Sequence, residues 1–339
     1  MKLLVTGGAG FVGSHVVEYY ADQGHEVIAL DNASRVSLEP KAKYNWDYLR
    51  EKQGVKLVKG DIRRVEDLEG LVDVDVIVHA AAQTAVTLSV QNPRGDFGDN
   101  ALGTFNVVEA ARNSGSDPAI VYCSTNKVYG GNVNELVVKK NGRYGLTREK
   151  GVPEDYSIDL CEHTPYGCSK LAGDLYVQDY GHLYGLDTAV FRMSCIYGTR
   201  QFGIADQGWV SWFAIATITG KPITIYGDGN QVRDVLYVSD LVAAFDAFIQ
   251  RRKKIRHDVF NMGGGPENTL SLLELLNVLE EFTGKKADVS FDDWRPSDQR
   301  AYISDISKAK EKLGWSPEVS PKEGVERLVN WIQENKEIF

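Results

Sequence analysis

The chain has 339 residues, 43% of them hydrophobic, with 47 acidic against 38 basic side chains, a net charge of −9 and a pI near 5.3. That length exceeds what one apolar core usually holds, so a large domain with a smaller companion is expected, and the acidic balance argues against nucleic acid or a polybasic membrane patch as a partner. No stretch is long and apolar enough to span a bilayer, and Met1-Lys2 leads straight into strand-like residues rather than a signal peptide, so a cytoplasmic location is expected. Cys123, Cys161, Cys168 and Cys195 show neither metal-ligand spacing nor a disulfide-like framework. They point to a reducing compartment and to no metal, with Cys168 read as a packing residue.

In chain order, apolar runs at 3–6, 27–31, 55–59, 74–80, 120–124 and 188–192 alternate with helical segments. Strands apolar at consecutive positions are buried on both faces, which a parallel sheet covered by helices requires. The fold class is therefore α/β, a doubly wound parallel (Rossmann) sheet with a smaller mixed α/β substrate-binding domain. Two long helices, from about Pro93 to Asn113 and from about Pro165 to Tyr184, should flank the fifth strand, since proline is accommodated in a first turn. The polar stretch 131–155 reads as an excursion over the site rather than part of the sheet. Beyond Arg192 the alternation fades into glycine- and tryptophan-containing loops, as expected of a cap that binds something variable. The cluster at 251–254 reads as the solvated basic end of a helix. The division expected is 1–192 with 235–262 for the sheet domain and 193–234 with 263–339 for the cap.

The first run ends in Thr6-Gly-Gly-Ala-Gly-Phe-Val-Gly13, and Asp31 closes the next run about 20 residues later. A pyrophosphate can lie on a helix N-terminus only if the backbone approaches without side chains in the way, and Gly7, Gly8, Gly10 and Gly13 remove them. Asp31 can accept hydrogen bonds from both ribose hydroxyls while repelling a 2′-phosphate, which favours NAD over NADP, although Arg35 nearby leaves NADP open. A second constellation is Tyr166-Gly-Cys-Ser-Lys170 with Ser124-Thr125 at the end of the fifth strand. Positions i and i+4 share a helix face, so the Lys170 ammonium, with an oxidised nicotinamide, should depress the Tyr166 phenol and let it act as a base. Lys170 would also bind the nicotinamide ribose, and Thr125 or Ser124 would hydrogen-bond the substrate oxygen.

These residues resemble the extended short-chain dehydrogenase/reductases that act on nucleotide-sugars. The resemblance also rests on Gly60-Asp-Ile62, His79-Ala-Ala-Ala82, Asn100, Gln231-Val-Arg-Asp234 and Trp294-Arg-Pro-Ser-Asp298. It implies a catalytic set of Tyr166, Lys170 and Thr125, and a cofactor shell built from Gly7, Gly10, Phe11, Val12, Gly13, Asp31, Asn32, Ser34, Arg35, Asp61, Ile62, Ala80, Ala81, Ala82, Asn100, Ser124, Tyr166, Lys170 and Met193. It implies substrate contacts from Thr125, Asn126, Lys127, Gln207, Arg233, Arg295 and Asp298, the two arginines clamping the sugar-nucleotide diphosphate as paired guanidinium donors do. Related enzymes pair through the two long helices, so a homodimer or homotetramer is implied.

Family members that dehydrate the sugar carry an acid pair after the catalytic threonine. Here Asn126 and Lys127 stand there, and neither can serve as that carboxylic acid, so loss of water at C5 and C6 is disfavoured. Ser124-Thr-Asn-Lys-Val-Tyr-Gly130, Asp206-Gln-Gly-Trp-Val-Ser-Trp-Phe213 and Gly229-Asn-Gln-Val-Arg-Asp234 resemble the CDP-paratose 2-epimerases, also called CDP-tyvelose epimerases, which oxidise C2 of the sugar and return hydride to the opposite face. Cys195 replaces the substrate-contacting asparagine of the 4-epimerases. The alternatives are a UDP-sugar 4-epimerase, a nucleotide-sugar reductase or, in a different class, an NAD-binding regulatory protein, which should lack a competent tyrosine-lysine pair.

Overall fold

The structure, a computed structural model, describes residues 1–295 and 299–339. Seven parallel strands form its main sheet: β1 (Lys2–Thr6), β2 (Glu26–Asp31), β3 (Val55–Lys59), β4 (Val76–His79), β5 (Ala119–Thr125), β6 (Thr188–Met193) and β7 (His257–Met262). Their order is β7-β6-β5-β4-β1-β2-β3, so the winding reverses between β1 and β4. Burial follows position in the sheet. Every residue of the central β4 and β5 is buried, whereas the edge strand β3 turns Lys56 and Lys59 to solvent. β7 is a strand that the apolar pattern does not reveal, because His257, Asp258 and Asn261 interrupt it.

Helix α1 (Phe11–Asp22) follows β1, and its apolar face (Val16, Val17, Tyr20) packs with Leu3, Val5 and Phe245 in one core. The expected 93–113 helix is one path in three pieces: Pro93–Phe97, a π turn over Gly98–Leu102, and α2 (Gly103–Asn113). Helix α3 (Thr164–Tyr184) has Pro165 in its first turn and stops at Gly185, whose φ of 73° ends the helix in the left-handed region. With α2 and Tyr122 it closes the opposite face of the sheet. The 131–155 stretch lies outside the main sheet and contains a hairpin, Val137–Lys140 with Arg143–Leu146, tied by Arg143 to Glu274.

The cap comprises Cys195–Tyr197, α4 (Trp209–Thr219), the pair Ile223–Tyr226 and Val289–Asp292, Val232–Tyr237, and α5 (Pro321–Glu334). Its own core gathers Phe213, Ile225, Leu275 and Leu328, while Ile306, Ala309, Leu313 and Trp315 pack into the core of the main sheet. All four cysteines are free thiols. Cys168 is exposed on α3, not packed as expected, because the face of the helix that carries Tyr166 and Lys170 turns it to solvent. No described helix is long and apolar enough to cross a membrane, and among the described residues no group of three His, Cys, Asp or Glu is placed to hold a metal ion.

Candidate active site

In a parallel sheet all strands end on one edge, and ligands bind outside that edge where the winding reverses. A cleft of about 430 Å³ opens there, between the sheet and the cap. One wall is the turn joining β1 to α1. Gly7 has φ +66°, and a Cβ on it would stand 2.7 Å from the Ala81 nitrogen; on Gly13 it would stand 2.0 Å from the Gly7 carbonyl oxygen. Only glycine lets strand, turn and helix approach this closely. Gly10 caps α1 without a side-chain hydrogen bond, and no acidic side chain occupies the first turn. The amide groups at 11–13 are thus left for an anionic ligand, which fits the pyrophosphate of a dinucleotide.

The Tyr166, Lys170 and Thr125 side chains all line this cleft. Thr125 ends β5, and its hydroxyl accepts from the Lys127 amide and donates to the Asn126 side chain beside the Tyr166 phenol. Burial pushes that phenol up to about 12, against the lowering effect of Thr125. The sequence leads one to expect depression by Lys170. In the protein alone burial wins, and the Lys170 ammonium sits over the Tyr122 ring, 4.3 Å from its centroid. Burial lowers Lys170 itself to about 8, with Cys123, Asp174 and Asp96 opposing it. Lys170 is 2% exposed, and among the described residues no carboxylate lies within ion-pair distance of its nitrogen. A buried cation with no carboxylate in direct contact, lining an open cleft, fits a site for a polar ligand.

The other expected residues divide into two groups. Phe11, Val12, Arg35, Ala80, Ala82, Ser124, Asn126, Lys127, Met193, Gln207 and Arg233 line the cleft with Gly7, Gly10 and Gly13. Asp31, Asn32, Ser34, Asp61 and Ile62 lie off it, at and beyond the ends of β2 and β3. Asp31 accepts the Ala9 and Ala33 amides at 3.0 and 2.7 Å; burial raises its pKa and these amides work against that. Asn32 donates to Asp61 at 3.1 Å, and the Arg63 guanidinium holds the Asp61 carboxyl down to about 2. The Ala81 amide donates to the Thr6 hydroxyl. Asn100 does not line the cleft. Fully buried in the π turn, it bonds Gln83, Asp96 and Ser169, behind the catalytic helix.

Three of the expected site residues are held by partners within the protein. Ser124 donates to Asp174 at 2.7 Å, and Asp174 in turn forms a buried ion pair with Arg192. Arg35 commits both terminal nitrogens to the cap, to Gln207 and the Phe202 carbonyl, rather than presenting them to a 2′-phosphate. Arg295 stands outside the cleft lining, paired with Asp206 at 2.9 Å over the Tyr226 ring, while Arg233 reaches the cleft. Asp298 lies outside the described residues.

The sequence reading missed Gln299, which is buried and accepts from Asn126 and Lys127 while donating to the Gly130 carbonyl. It also missed Asp96, which accepts from Ser169 at 2.5 Å. Neither lies in a motif whose spacing carries a signal. Cys195 lines the cleft beside Trp209, and burial pushes its thiol up to about 12.

Comparison with known proteins agrees with this geometry. The model of the NAD dependent epimerase/dehydratase family matches residues 3–263. The chain is 41% identical to the CDP-paratose 2-epimerase of Salmonella typhi over 98% of this chain and 99% of that one. Among solved structures it is similar to the UDP-glucose 4-epimerase of Thermotoga maritima with UDP-glucose, at 31% identity and a TM-score of 0.81 over 99% of this chain and 100% of the other. It is likewise similar to the UDP-glucuronic acid 4-epimerase of Bacillus cereus in complex with UDP-glucuronic acid and NAD, at 28% identity and a TM-score of 0.81 over 99% and 100%. The chain belongs to the NAD dependent epimerase/dehydratase family.

Proposed function

We propose that the chain is a CDP-paratose/CDP-tyvelose 2-epimerase, inverting C2 of a CDP-hexose with NAD kept bound through the cycle. The observation that carries an epimerase over a dehydratase is the cleft itself. Tyr166, Thr125 and Lys170 meet there, and the next two residues facing it are Asn126 and Lys127, an amide and an ammonium where a dehydratase would carry its carboxylic acid. The 41% identity to a CDP-paratose 2-epimerase supports C2 and the cytidine nucleotide, and Cys195 in place of an asparagine weighs against a galactose-type 4-epimerase.

Bound NAD supplies the acceptor and donor of hydride for the sugar carbon and a positive ring beside Tyr166. Tyr166 takes the proton of the sugar hydroxyl and later returns it, Thr125 hydrogen-bonds the same oxygen, and Lys170 holds the nicotinamide ribose. Gly7, Gly10, Phe11, Val12 and Gly13 cradle the pyrophosphate, and Asp31 takes the adenosine ribose. Arg233 receives the sugar-nucleotide diphosphate, joined by Arg295 once that side chain exchanges Asp206 for phosphate. The cap, 193–234 with 263–339, holds the sugar over the NAD domain, 1–192 with 235–262, and so chooses the carbon that reacts.

The test is a CDP-hexose deuterated at C2, incubated without added NAD and followed by NMR. The expected product is the C2 epimer with its deuterium retained and a primary isotope effect on its formation. Deuterium lost to water, or an isotope effect only with a C4-labelled substrate, overturns the assignment and favours a UDP-sugar 4-epimerase.

A further inference from the structure

We infer that the cap segment 199–208 is a clasp across the cofactor cleft, latched by Gln207 to Arg35 and Thr84, and that NAD leaves only when this latch opens. The inference rests on the reading that NAD occupies the cleft, but not on which sugar carbon reacts.

The segment joins the strand Cys195–Tyr197 to α4 and forms the wall of the cleft facing the glycine turn, through Gln201, Phe202, Gly203 and Gln207. Its shape is set locally. Arg200 and Gly208 take left-handed φ values of 57° and 73° at its two ends, and reciprocal amide-carbonyl bonds of 2.9 Å between Ile204 and Gln207 close a tight turn at its tip. A Cβ on Gly203 would stand 2.5 Å from the Trp212 nitrogen, so the turn folds close against α4.

The two ends are held differently. At the rear, Arg200 forms an ion pair with Glu18 of α1 at 2.7 Å, its side chain only 8% exposed, and its carbonyl accepts from Asn45. At the front, Arg35 donates to the Gln207 side chain at 2.7 Å and to the Phe202 carbonyl at 2.9 Å, and the Gln207 amide donates to the Thr84 hydroxyl. A buried pair of opposite charges is costly to break, whereas the front bonds run from a guanidinium and an amide to uncharged oxygens, so opening them strands no buried carboxylate, and the Gln207–Thr84 bond is exposed to water. The rear therefore acts as a hinge and the front as a latch. Arg35 follows β2 and Thr84 follows β4, so the latch spans the two sides of the point where the winding reverses, directly over the glycine turn. Asp206, at the tip, is in turn held by Arg295.

The experiment loads the purified enzyme with radiolabelled NAD, adds excess unlabelled NAD and follows the bound label by rapid filtration. Gln207→Ala, which removes both side-chain latch bonds of that residue, is expected to release NAD about tenfold faster than the unchanged protein. Thr84→Val, which removes one, shifts the rate in the same direction by less. Lys322→Ala, which breaks an exposed pair with Glu281 on the far side of the cap, leaves it unchanged. Near-ultraviolet circular dichroism identifies any variant that fails to fold, and Thr84→Val then carries the test alone. Equal release rates in the folded latch variants and the unchanged protein, or weaker binding that comes only from slower NAD entry, overturn the clasp. No sugar is present in the chase, so a wrong assignment of the reacting carbon cannot alter its outcome.

Discussion

Lys170 shows how far a side chain's chemistry depends on what surrounds it. Its place four residues after Tyr166 is read from spacing, but the low pKa of about 8, caused by burial, depends on the β5 and α2 surfaces packed against it. The unfolded chain holds this proton with a pKa near 10.5, so the folded protein binds it more weakly and is penalised for the charge. The penalty is complete below about pH 8 and is relieved as pH rises toward 10.5. NAD-free Lys170→Met is therefore expected to be more stable than the unchanged protein at pH 7, on the order of 2–3 kcal/mol, with a margin that shrinks between pH 8 and 10.5. Urea unfolding across that range reads the margin, and one that stays constant or grows contradicts the account. Tyr166→Phe removes one oxygen from the cleft and is expected to lower turnover by roughly 10²–10⁴ while NAD stays bound. Retention of most of the rate would exclude Tyr166 as the base.

The turn joining β1 to α1 was the most legible element because all of its determinants are contiguous. Its glycines are required by close approach, and the clash at Gly13 is severe, with the added carbon 2.0 Å from the Gly7 carbonyl oxygen. Gly13→Ala is expected to cost at least about 2 kcal/mol of stability and to leave the purified protein without NAD. Chemical denaturation and the ultraviolet spectrum of the isolated protein check both, and a stable variant carrying its full complement of NAD would refute the packing argument. The sequence predicts one helix over 93–113, since apolar spacing survives the single wide turn at Gly98–Leu102. That turn is nevertheless where Asn100 is brought behind α3 to meet Ser169. The strand β7 has no such local signature, because its polar Asn261 is buried against Val152 and Tyr129, contacts that no local pattern encodes.

On the outer surface, Phe97, Leu102, Leu175, Tyr176, Leu183 and Tyr184 are all exposed along the 93–113 path and α3. Apolar side chains gathered on neighbouring helices favour a second copy of the chain, since a twofold interface matches a surface with itself. A dimer, or a dimer of dimers, is expected at micromolar concentration by light scattering, and Leu175→Glu with Leu183→Glu should shift it toward monomer. A monomer mass for the unchanged protein would reject the arrangement.

By itself the sequence determined the doubly wound sheet, the glycine turn and the tyrosine-lysine face of α3, because each is specified by neighbours within a few turns of chain and by apolar periodicity. Only the tertiary structure decided which partner each polar side chain takes. Arg35 meets Gln207 across 172 residues, Gln299 bridges Asn126 and Lys127, Arg295 turns to Asp206, and Lys170 finds an aromatic ring instead of a carboxylate. Hydrogen bonds and charges are satisfied by whichever groups packing brings within about 3 Å, and that proximity belongs to the folded arrangement of distant segments rather than to spacing along the chain.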